Sequence, residues 1–138
     1  MNEAVSLRDA TVQEIQLELL RRTTYNALDG ERVKDSLLRH RDLWLAFLLD
    51  RQGLPNYAEP TRLLMMGLIK LRDLPDNFWN ADTLFILTPT HTQADELARI
   101  AEDEDWAGDV YVCKDQKEID NALGTGRDEY GLVVVWWD

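Results

Sequence analysis

The sequence predicts an α/β fold, in which an N-terminal layer of three helices packs with a small three-stranded parallel sheet built as β-α-β-α-β. Three observations lead there. Apolar residues recur at helical spacing behind cap signals through residues 11–71. Short apolar runs of strand length stand at 83–88, 109–113 and 132–136. The segments between those runs carry helix caps and have the length of crossovers, which parallel strands require. With 138 residues, 45% of them apolar, the chain has the size of one domain over 1–138 and can bury a core without disulfides or metals.

Thr11-Val-Gln-Glu14 has the spacing of a capping box, and Val12, Ile15, Leu19 and Leu20 follow on one stripe. A first helix is predicted from there to about Leu28, where Asp29-Gly30 interrupts it. A second helix is predicted from Glu31 through Leu49. Val33, Leu37, His40, Trp44, Phe47 and Leu48 form its stripe, and Gly53 and Pro55 end it. Pro60 can open a third helix, whose residues 63–69 are all apolar or Gly. A helix apolar on every side is buried, and a homodimer is one expected way of covering it.

Residues 83–88 read as a buried strand stopped by Pro89, and Thr92 reads as the cap of a helix over 92–103. Residues 109–113 alternate and form the best edge candidate. Asp115-Gln-Lys-Glu118 reads as a second capping box opening a helix over 115–123, with Gly124 at its left-handed end. Residues 132–136 make the last strand. Right-handed crossovers then favour the order 2-1-3, with the strand at 83–88 in the centre.

Charge is the most informative global property. Residues 1–81 hold 11 basic and 12 acidic residues, whereas residues 82–138 hold 4 and 14, a net of −10 out of −11 overall. Such a half repels phosphates, so no direct nucleic-acid ligand is expected, and a basic protein is the expected partner. On the first two helices, Arg21, Arg22, Arg32, Arg39 and Arg41 are interleaved with acids in the pattern of surface ion pairs. The longest apolar runs, 43–49 and 63–69, have seven residues each, too short to span a membrane. The N-terminus has no apolar signal-like core, and the one cysteine, Cys113, fits a reducing compartment, so a cytoplasmic protein is expected.

No catalytic motif of fixed spacing occurs. In a parallel sheet, ligands sit beyond the carboxyl ends of the strands. That rim would carry Thr88, Thr90, His91 and Thr92, then Cys113 and Asp115, and finally Trp137. His91 and Cys113 are the candidates for a thiolate dyad, with Asp115 or Asp138 orienting the imidazole. A lone cysteine at a strand end more often packs as a small apolar residue. The Gly124-Thr-Gly126-Arg127 stretch follows a helix, not a strand, and reads as a turn. Glu102-Asp-Glu-Asp105 lacks the spacing of a calcium loop, His40 reads as a core histidine, and neither a metal nor a cofactor is expected.

The preferred reading is a non-catalytic acidic interaction domain that contacts its partner through Asp103, Glu104 and Asp105. Two readings compete: a small-molecule enzyme or sensor using the rim, and an acidic mimic of nucleic acid that blocks a basic protein.

Overall fold

The computed structural model describes residues 5–51, 69–126 and 129–138. The elements are α1 (Val12–Arg22), α2 (Gly30–Arg39), β1 (Ala46–Asp50), α3 (Ile69–Asp73), β2 (Thr83–Thr88), α4 (His91–Asp103), β3 (Asp109–Cys113), α5 (Gln116–Leu123) and β4 (Gly131–Trp136). Short 3-10 turns occupy Arg41–Leu43 and Leu74–Asp76. The class is α/β, but the sheet corrects the expected one. Among the described residues it has four strands in the order β1-β2-β4-β3, and every neighbouring pair is antiparallel.

The strand missing from the sequence reading is β1, which the helical stripe had absorbed. Helix α2 stops at Arg39, where Trp44 folds back and its indole N–H donates to the carbonyl of Leu37, 2.8 Å away, an acceptor it shares with the His40 N–H at 3.2 Å. Arg41 lies over the Trp44 ring at 3.9 Å and donates to the Trp44 carbonyl. Beyond this lock the chain is extended, with Phe47 and Leu49 inward and Leu48 outward. Helix α1 also ends earlier than expected, at Arg22. The Thr23 hydroxyl donates to the Leu19 carbonyl at 2.6 Å while its backbone turns extended. Most of the helix expected over 60–71 lies outside the described residues, and its described end is α3.

The parallel expectation failed at the last connection. Helix α5 has eight residues, about 12 Å at the standard rise. The chain re-enters the sheet at Gly131, on the edge that it left at Cys113. Strand β4 therefore starts beside Thr88 and Cys113, and runs down between β2 and β3. The longer α4 does carry the chain back, so β2 and β3 point the same way with β4 inserted between them, a split β-α-β arrangement. Gly131 permits that start: a Cβ there would lie 2.4 Å from the Thr88 hydroxyl and 2.6 Å from the Thr90 carbonyl.

Alternation divides the sheet. Phe47, Leu49, Leu84, Ile86, Val133 and Val135 face one side and join Leu20, Val33, Leu37, Leu97 and Trp106 in one core drawn from both halves of the chain. Leu48, Phe85, Val134 and Tyr111 form a row on the other face. There α5 meets β3 at Cys113, while Leu48 and Tyr111 remain 45% and 58% exposed. Gln13 and Gln16 of α1 reach across to the outer side of β1. Gln13 accepts from Phe47 N–H at 2.9 Å and donates to its carbonyl at 3.1 Å, and Gln16 accepts from Leu49 N–H at 2.8 Å.

Candidate functional site

Because β2 and β3 run in the same direction, most of the predicted rim does assemble at one edge of the sheet. Thr88 ends β2 and is fully buried, its hydroxyl donating to the Thr90 carbonyl at 2.7 Å. Thr90, not Thr92, caps α4: its side chain accepts from Gln93 N–H at 3.3 Å. Thr92 is exposed in the first turn of α4. Asp115 caps α5 as expected, accepting from Lys117 N–H at 3.0 Å and Glu118 N–H at 3.3 Å, and Gly124 closes that helix at φ 71°. Trp137 is a correction. The reversed β4 carries it to the opposite edge, where it is fully buried and its indole donates to the Trp106 carbonyl at 2.6 Å.

His91 lies at the first position of α4 and meets α5. Its Nε2 is 2.6 Å from Oε1 of Gln116, and Gln116 Nε2 donates to Asp120 at 2.8 Å. With the amide so oriented, the imidazole donates and the carbonyl oxygen accepts. Cys113 is only 4% exposed, and its sulfur is 3.9 Å from both the Asp115 carbonyl and a Glu118 carboxylate oxygen. The sequence pattern thus brings His91 and Cys113 to one edge without making them a nucleophile–base pair, and Asp115 spends its oxygens on the helix end. The open depression here, of about 520 Å3, is lined by Thr90, His91, Thr92, Gln116 and Glu129, and Cys113 is not part of its wall.

The acidic segment after α4 divides by role. Asp103 is exposed. Glu104 is clamped: it accepts from the Ser36 hydroxyl at 2.8 Å and Arg39 at 2.5 Å, and lies 2.6 Å from His40 Nε2. The Arg39 guanidinium, helped by Ser36 and His40, lowers its carboxyl to about 2. Ser36 in turn accepts from the buried Trp106 indole at 2.8 Å, so the network ties the end of α2 to the turn entering β3. Asp105 takes a left-handed conformation, φ 54°, and receives Arg32 at its carbonyl and carboxylate. Sequence reasoning missed this clamp. Its signal was Ser36, Arg39 and His40 at i, i+3 and i+4 on one helix face.

No family model matches the chain, and neither a curated protein nor a solved structure does. Among the described residues no group of three or more His, Cys, Asp or Glu is placed to hold a metal ion, and no helix is long and apolar enough to cross a membrane. A second depression, of about 320 Å3, lies between α1 and the 74–79 turn and is lined by Leu19, Arg22, Thr23, Phe78 and Trp79 among others. Glu102, Asp103, Asp105 and Asp109 around the entry to β3 are exposed, Asp105 paired with Arg32, and Asp95, Glu96, Asp115, Glu118 and Glu129 are exposed elsewhere.

Proposed function

We propose that the protein is a non-catalytic, acidic interaction domain that binds a basic partner protein in the cytoplasm. The observation that carries this reading is the charge distribution. Residues 82–138 hold a net −10, and four exposed carboxylates cluster where the chain enters β3. A potential of one sign over a surface steers an oppositely charged protein and repels phosphate, which argues against a direct nucleic-acid ligand. The lone cysteine, buried at the end of β3, fits the reducing compartment. The enzyme reading needs His91 to activate Cys113, and the hydrogen bond of His91 to Gln116 gives it no support.

The test is affinity capture on the immobilised protein from an extract of its source, followed by association kinetics with the purified partner. Association is expected to slow steeply as salt rises from about 0.05 to 0.5 M, where the Debye length shrinks below the reach of surface charges. Replacing Glu102, Asp103 and Asp109 by Gln or Asn should slow it further at low salt and leave the melting temperature unchanged. An on-rate indifferent to salt and to these replacements sinks the reading.

A further inference from the structure

We propose that the outer edge of β3 receives an extended segment of the partner as an added strand, with apolar residues over Val110–Val112 and Lys or Arg at the end beside Asp109. This rests on the reading of an acidic domain that binds a basic partner, and specifies how the partner is held.

The backbone register identifies the edge. Trp137 N–H donates to the Asp82 carbonyl at 2.9 Å, one residue beyond the Thr83–Trp136 pair. Antiparallel ladders alternate, so Leu132, Val134 and Trp136 turn their N–H and C=O groups to β3. Their partners Cys113, Tyr111 and Asp109 turn back toward β4. Val110 and Val112 are left pointing outward. The same parity applied to β1 leaves Phe47 and Leu49 outward, and those are the groups taken by Gln13 and Gln16. The two edges therefore differ. One is blunted by glutamines, whereas among the described residues no hydrogen bond reaches the outward groups of Val110 or Val112. An open edge of this kind pairs with an extended chain through its backbone.

The surroundings select the occupant. Tyr111 is 58% exposed and continues the apolar row Leu48–Phe85–Val134, so the middle of an added strand meets apolar surface. Exposed Asp109 opens β3, so one end of that strand meets a carboxylate, with exposed Asp103 and Arg32-paired Asp105 preceding it in the chain.

The probe is the peptide Lys-Lys-Val-Thr-Val-Thr-Val-Lys-Lys, titrated into the isotope-labelled full chain and read by amide NMR and hydrogen exchange. The Val110 and Val112 amides are expected to shift and to exchange at least about tenfold more slowly. Binding should weaken about tenfold between 0.05 and 0.3 M salt, and on Asp109→Lys. N-methylation of alternate peptide nitrogens should abolish binding in one register and spare it in the other. Salt-sensitive binding that ignores both methylations, or shifts confined to other elements, overturns strand addition and leaves the acidic-partner reading standing. No binding of the peptide overturns it as well. Val110 and Val112 amides already protected in the free protein, with twice the monomer mass by light scattering, assign the edge to a second copy and also overturn it.

Discussion

Glu104 shows how one residue changes meaning when its neighbours are known. In sequence it belongs to an acidic run, but in the fold it anchors Ser36, Arg39 and His40. Its carboxyl, lowered to about 2 from an ordinary 4.5, binds a proton less readily in the folded chain than in the unfolded one. The stability it contributes is therefore complete above about pH 5 and is lost as pH falls from there toward 2. Glu104→Gln is expected to cost about 1–2 kcal/mol at pH 7. That is less than the roughly 3 kcal/mol the shift alone implies, because water screens a carboxylate open on one side. The loss should shrink as chemical denaturation is repeated at lower pH. A pH-independent loss would show that packing, not charge, dominates. Asp103→Asn should change stability by under about 0.5 kcal/mol.

Cys113 is a second case at the same scale. The buried thiol beside Glu118 is expected to react with iodoacetamide slowly at neutral pH until denaturant unfolds the chain. Cys113→Ala should lower stability by about 1 kcal/mol, as small buried truncations do. Rapid labelling of the folded protein that vanishes in His91→Ala would revive the dyad.

Among the elements, the two sheet edges give the sharpest contrast. Gln13 and Gln16 lie three residues apart on α1, so both face β1. Gln13→Ala should release the Phe47 amide and Gln16→Ala the Leu49 amide to faster exchange, each at a cost of about 1 kcal/mol. In the free protein the Val110 and Val112 amides should already exchange nearly as fast as an unfolded chain. Equal protection on both edges would contradict the register argument. The elements also show what the sequence disclosed. The Thr11–Glu14 box, the Asp115 cap, the left-handed Gly124 and the three strands expected at 83–88, 109–113 and 132–136 are local features, and each reappears in place, the last one residue longer. Residues 43–49 did not disclose their state, because a run of seven apolar residues fits a helix stripe as well as a strand. Thr90 and Thr92 both precede helical residues, and only the backbone shows that the first is the cap.

At the scale of the molecule, a net charge of −11 places most of the acids on one half and opposes compaction there. Raising salt from about 0.01 to 0.3 M should therefore raise the melting temperature, since screening relieves like-charge repulsion more than it weakens exposed ion pairs. A fall in melting temperature would mean that networks such as that of Glu104 outweigh the repulsion.

The residues alone determined the α/β class, the three strands read correctly, the caps at Thr11, Asp115 and Gly124, the edge position of β3 and the acidity of the second half. Each depends on near neighbours in the chain or on a simple sum. The tertiary structure decided the direction of β4, the pairing of β1, the partner of His91 and the role of Glu104. A connection of given length is compatible with either strand direction, and its path is chosen by which apolar faces can be buried together. The reversal of β4 sent Trp137 to the far edge and, among the described residues, left β3 as the last strand of the sheet with the backbone groups of Val110 and Val112 turned away from β4. That edge exists because long-range packing, not local preference, placed β4 between β2 and β3.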